Sequence, residues 1–196
     1  MKAVLISINP LWCELIGNGE KTIEVRKNRP KLKTPFKVFI YCTKAKTDGE
    51  YLWTAKSTTI GKMADVANGK VIGEFICDKV IEELPNPRYE KLLNGSCLDN
   101  DTLINYGKFG ILYGWHISNL KLYDVLKDLK EFYKECKGGC GNVCKHWRYI
   151  RVNADEYDMD CDCDGLIPIT KPPQSWCYVE VIGNKYDNPK LMEIQE

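Results

Sequence analysis

A series of short stretches with the period-two pattern of β-strands, parted by turn signals and few helical runs, limits this chain to a small, mainly β (α+β) architecture. The stretch 3–8 is apolar but for Ser7, and 36–42 alternates aromatic and β-branched residues between two faces. Strand patterns also cover 21–27, 70–81, 109–123 and 176–182. The strand at 70 is entered through Asn68-Gly69, a hairpin-type turn pair, and the last through Pro172-Pro173, which imposes an extended approach. Along 109–123, Tyr113, Trp115 and Ile117 share one face. Such a succession predicts a closed or nearly closed small β-barrel with a few flanking helices rather than a layered α/β fold.

Helical signals are sparse. Asn9-Pro10 opens a short helix well, because asparagine suits the N-cap and proline at the first position loses no needed donor. Leu11, Trp12, Leu15 and Ile16 give it an apolar face, and Gly17 or Gly19 ends it. Two further helices are predicted at 87–93 and at 125–136, the latter from the spacing of Leu126, Leu129 and Phe132. The run Asp99-Asn100-Asp101 reads as a turn or a helix cap. The whole chain of 196 residues reads as one domain with two excursions, at about 44–66 and 136–169.

Charge and hydropathy exclude several function classes. The formal net charge of +1 does not suit a non-specific polyanion binder, so any nucleic-acid recognition must lie in a local site. The apolar stretch 3–8 is too short for a signal peptide or a membrane span, and later apolar runs are broken by charge. The expectation is a soluble, cytoplasmic protein with no membrane partner.

The most informative segment is Gly17-Asn18-Gly19-Glu20-Lys21-Thr22-Ile23-Glu24-Val25-Arg26-Lys27. On a strand, Thr22, Glu24 and Arg26 point one way and Ile23 and Val25 the other. Lys21 belongs formally with Ile23, but beside a glycine turn its four-carbon stem can swing to Glu24. A solvated face with an ion pair accounts for the same pattern.

Pro10, Trp12, Leu15, Ile16, the Gly19-x-Lys21-Thr22-x-Glu24-x-Arg26 run and Arg29-Pro30 resemble the signature of the ASCH domain family, a branch of the PUA-like superfamily of small β-barrels. Trp115-His116-Ile117-Ser118 and Pro172-Pro173-Gln174-Ser175-Trp176 further resemble a phage- and Firmicute-type subgroup. The resemblance implies a cleft between barrel and first helix that holds RNA, a nucleotide or a nucleoside. Its ligand-binding residues would be Gly19, Lys21, Thr22, Glu24, Arg26 and Arg29. A regulatory role, or the reading of a modified base, fits such a module.

Some relatives implied by the resemblance are enzymes. One subgroup removes the acetyl group of N4-acetylcytidine with the motif lysine, a threonine three residues later and a separate glutamate, and another relative is a ribonuclease. Here the residue three beyond Lys21 is Glu24, a departure from the amidohydrolase pattern. Lys21 and Glu24 are nonetheless the acid–base pair that a hydrolase reading would use. A lysine acts as nucleophile or base only when its pKa falls. An adjacent Glu24 opposes that fall, so the pairing favours a charged, positioning lysine. Arg26 offers a planar fork of donors for phosphate or a base edge.

The two excursions carry signals of their own. Lys44, Lys46, Tyr51, Trp53, Lys56 and Lys62 mix cations with aromatic rings, as single-stranded RNA binders do, but Asp48, Glu50 and Asp65 dilute the pattern. The chain has ten cysteines. Cys13, Cys42, Cys77 and Cys177 lie inside apolar patterns and read as core thiols. Cys136, Cys140, Cys144, Cys161 and Cys163, with His146 nearby, lie in the glycine-rich second excursion. Four of these five would make a structural Zn2+ site, disulfides and free thiols being the alternatives. A zinc knuckle there could also serve as a protein-interaction surface. Metal analysis of protein purified without added metal is expected to give about one zinc per chain; a ratio well below one contradicts the zinc assignment.

Overall fold

The computed structural model describes residues 1–44, 67–136, 147–153, 156–161 and 165–181, the 147–153 and 156–161 stretches by their backbone alone. Residues 1–44 run through β1 (Lys2–Ile8), α1 (Pro10–Gly17), β2 (Ile23–Arg26) and β3 (Phe36–Cys42). Then follow β4 (Val71–Glu83), α2 (Glu90–Ser96), α3 (Asn100–Gly107) and β5 (Leu112–Lys127). A 3-10 turn at Leu129–Glu131 leads to β6 (Tyr133–Glu135), β7 (Trp147–Asn153), β8 (Glu156–Cys161), β9 (Leu166–Pro168) and β10 (Trp176–Glu180).

Eight of these strands form one mixed sheet in the order β2-β5-β4-β3-β1-β10-β6-β9, while β7 and β8 pair separately. The β1–β3 pairing is parallel, with Ile6 opposite Ile40; the other pairings are antiparallel. A parallel neighbour requires a crossover, which α1 and β2 supply. Among the described residues the edge strands β2 and β9 do not pair, so the expected barrel is an open, α+β variant.

The largely apolar run of β1 is explained by burial on both faces. Val4, Ile6 and Ile8 join Val38, Ile40, Phe75 and Trp115 in one core, which Cys13 and Ile16 of α1 close. Ala3 and Leu5 join Phe39, Tyr41, Leu129, Phe132 and Val179 in a second core on the opposite face. A third, smaller core lies where Ile23 and Val25 of β2 pack against Tyr89, Leu92, Leu103 and Leu112. Cys13, Cys42 and Cys77 are buried, as expected of core thiols, and burial pushes the Cys77 thiol up to about 12.

Three expectations need correction. The segment 125–136 is not a helix: β5 continues to Lys127, and only Leu129–Glu131 turns helically. A single 3-10 turn satisfies the three-residue spacing that suggested a helix, because it places Leu129 and Phe132 in the same core. Phe132 meets Phe39 edge-on at 5.0 Å, and Asp128 with Glu131 forms a capping box on the turn. The helix expected at 87–93 starts later, at Glu90, and α3 was not expected beyond its cap. In α1 the buried residues are Pro10, Cys13 and Ile16, whereas Leu11 is exposed.

Gly73 marks the closest approach of β4 and β5. A Cβ there would lie 2.5 Å from the Lys121 carbonyl oxygen and 3.1 Å from the Leu122 Cα. Backbone cannot retreat without disturbing the ladder on either side of the β-bulge that begins here. Gly73→Ala is expected to cost about 1–3 kcal/mol in chemical denaturation; a neutral substitution contradicts this packing.

Candidate functional site

The C-terminal end of β1, the start of α1, β2, α3 and the segment before β10 enclose a cleft of about 480 Å³. That volume lies in the range of sites for small ligands, about 300–1,000 Å³. Asn9 begins one wall by capping α1, its side chain accepting from the Leu11 N–H at 3.0 Å. Asp99 caps α3 in the same way, accepting from Thr102 N–H at 2.6 Å, and this helix brings Thr102 and Tyr106 to the opposite wall.

The floor holds three charged groups. Glu24 lies between two cations, with one oxygen 2.9 Å from Arg26 Nη2 and the other 3.6 Å from Lys21 Nζ. Lys21 and Glu24 are buried, and the Arg26 side chain is 12% exposed. The antiparallel register with β5 sets Glu24 opposite Trp115 and Arg26 opposite Tyr113, so both share the sheet face of the main core. Ile23 and Val25 take the other face and pack in the third core. Neither face of β2 is therefore the solvated surface that the alternation also allowed.

Lys21 does swing to the Glu24 side. The Gly19 φ of +78° turns the chain after α1, and Lys21 Nζ donates to the Ser96 carbonyl at 2.6 Å. Its ammonium also lies 5.2 Å from the centroid of the Trp12 ring. A carbonyl, a carboxylate and an aromatic ring thus take up the charged lysine. Burial pushes Lys21 below its ordinary pKa, and the Glu24 carboxylate works against that shift. Glu24 had been expected to govern; the depth at which Ser96 and Trp12 cover the ammonium makes burial the larger effect.

Arg26 ties the floor to its surroundings. Nη2 donates to the Ser7 carbonyl at 2.7 Å, and Nη1 reaches Ser175 Oγ at 3.4 Å. Nε is buried and has no hydrogen-bond partner among the described residues. An unmet buried donor is costly unless a water or ligand meets it.

Of the residues singled out in the sequence, Lys21, Glu24 and Arg26 line the cleft together, and so does Lys44. Gly19 shapes the turn, while Thr22 and Arg29 are exposed and outside the lining. His116 lies elsewhere on β5, half-exposed and 2.7 Å from Asp78, whose carboxyl it holds below its usual range. Asn9, Thr102, Tyr106 and Gln174 were missed. The only signal for them was the cap at Asp99 and the Pro-Pro approach before Gln174.

The remaining basic and aromatic residues of the first excursion, and Cys140, Cys144, His146 and Cys163, lie outside the described residues. Cys136 follows β6 and Cys161 ends β8. Among the described residues no group of three or more potential ligands surrounds a metal position. No described helix is long and apolar enough to cross a membrane.

The fold is that of an ASCH domain protein. The crystal structure of ASCH from Zymomonas mobilis matches with a TM-score of 0.53 at 14% identity, over 91% of this chain and 87% of that one. A mutant of the same protein matches with a TM-score of 0.53 at 15% identity, over 91% and 88%. No family model and no curated protein matches the sequence. At such identity the likeness is one of fold.

Two outcomes test the buried charges. Glu24→Gln leaves two cations facing each other without a counter-charge and is expected to cost about 3–5 kcal/mol in equilibrium denaturation. A cost below about 1 kcal/mol, as for a surface pair, contradicts the burial. For Lys21 the lowered pKa sets the sign. Between that value and the ordinary 10.5, the unfolded chain holds a proton that the folded chain has lost. Wild-type stability relative to Lys21→Met should rise with pH across this window, and a fall there contradicts the shift.

Proposed function

We propose that the protein is an ASCH domain of the PUA-like superfamily, of the phage- and Firmicute-type subgroup, that binds RNA or a nucleotide in this cleft. It would act in the cytoplasm, in regulation or in reading a modified base. The observation that carries the reading is the cleft itself, where the Lys21–Glu24–Arg26 cluster lies beside the rings of Trp12 and Tyr106. Donors on a guanidinium suit phosphate or carbonyl oxygen, and aromatic walls suit a base. The floor sums to one positive charge from Lys21, Glu24 and Arg26, which favours a ligand carrying negative charge or acceptor atoms.

A second reading, hydrolysis of a modified nucleoside or of RNA, draws on the burial that lowers the Lys21 pKa. Against it stands the engagement of the ammonium by Ser96, Glu24 and Trp12, which holds the lysine as a charged positioning group. Arg26→Ala is expected to weaken binding of RNA or mononucleotides about 10- to 100-fold in calorimetric titration, with the wild-type affinity falling as salt rises. Absence of any binding by the wild type contradicts the proposal. Turnover of an acylated cytidine or of RNA, abolished by Lys21→Ala in a folded protein, would establish the hydrolase instead.

A further inference from the structure

Gln174 stands apart from the other residues of the cleft. Its side chain is exposed in the cleft and makes no hydrogen bond within the described protein. The backbone on both sides of it, by contrast, is fastened by one residue. Ser7 Oγ donates to the Pro173 carbonyl at 2.7 Å, and the Ser7 N–H donates to the Ser175 carbonyl at 2.9 Å. Arg26 then grips the same two residues, reaching the Ser7 carbonyl and Ser175 Oγ. Pro172 and Pro173 restrict the approach from the N-terminal side. A free carboxamide is thus presented on a clamped backbone, in the cleft that Trp12, Tyr106 and Arg26 also line.

We infer that Gln174 is the specificity-determining residue of the cleft and reads the hydrogen-bonding edge of a single unstacked nucleobase. The inference rests on the proposed nucleotide-binding function. A carboxamide presents one acceptor beside one donor, so it pairs with a base edge that shows a donor beside an acceptor. Placed on a backbone held by Ser7 on both sides, it discriminates by geometry, because a mismatched edge leaves its polar atoms unpaired. Lys21, Glu24 and Arg26 are all engaged with one another or with the backbone and read no sequence. Trp12 and Tyr106 each carry a lysine ammonium near the ring, Lys21 and Lys27 respectively, and supply base-independent stacking surface. Gln174 is the exposed carboxamide of the cleft whose backbone is clamped on both sides, and base identity is assigned to it.

The base can arrive on a free nucleotide or on a strand, and the test separates the two. The full-length protein is titrated calorimetrically with AMP, CMP, GMP and UMP and with the four homopolymeric RNA octamers. Gln174→Ala should flatten the wild-type ranking of bases by weakening the preferred base about tenfold, toward the affinity of the others. Gln174→Glu replaces the donor by a second acceptor, which suits the adjacent N1–H and N2–H of guanine and repels the acceptors of other bases. It should raise the preference for GMP, or for the guanine octamer, over the other three on the order of tenfold. A response with mononucleotides assigns a free ligand, and a response with octamers alone assigns a strand. Binding that persists with an unchanged ranking in both variants overturns the role of Gln174 and leaves the binding function standing. No binding of any ligand by the wild type overturns both.

Discussion

Everything in the cleft depends on the position of Glu24 between two buried cations. Three charges taken out of water are stable together only if each is compensated, and a lone survivor would be a large liability. The compensation reaches well beyond the three residues. Lys21 draws in the Ser96 carbonyl at the end of α2, and Arg26 draws in the Ser7 carbonyl near the end of β1 and the Ser175 hydroxyl before β10. One carboxylate thereby fastens elements that are far apart in sequence around a common floor.

That fastening explains why the floor can be both polar and rigid. The apolar face of β2 is anchored in a core of its own, with Tyr89, Leu92, Leu103 and Leu112, so the strand cannot rotate to expose its charges. The same core carries α3, whose Leu103 is buried while Thr102 and Tyr106 face the cleft. A ligand therefore meets donors already held in place, and little ordering of the protein opposes binding. The open sheet takes part in this, because the edge strand β2 itself lines the cleft, with the end of β1 beside it.

Much of the frame was legible because it rests on local patterns. The strand 36–42 coincides with β3, and Asn9-Pro10 capped and opened α1 as its chemistry required. The segment from Lys21 to Arg26 was legible as a centre because alternation fixed which side chains share a face. What alternation could not show was that Ser96 at the end of α2 and Trp12 of α1 would cover the Lys21 ammonium. The helix at 100–107 escaped because Leu103 is its only buried residue, too little to mark a period. The supposed helix at 125–136 failed for the opposite reason: Leu129 and Phe132 gave a helical spacing, yet one turn sufficed to bring both to Phe39 and the core. Gln174 carries no signal of its own in the sequence, since its display depends on Ser7, which lies at the far end of the chain.

The central claim is that the buried charge floor is the place where a nucleotide binds. Its most direct measurement is a titration of 15N-labelled protein with a mononucleotide, followed by the Nε–H resonance of Arg26 and the indole N–H of Trp12. Both signals should move together and saturate at the same ligand concentration, because Arg26 and Trp12 line the same cleft. Saturable shifts confined to other surfaces, with Arg26 and Trp12 unmoved, would contradict the account.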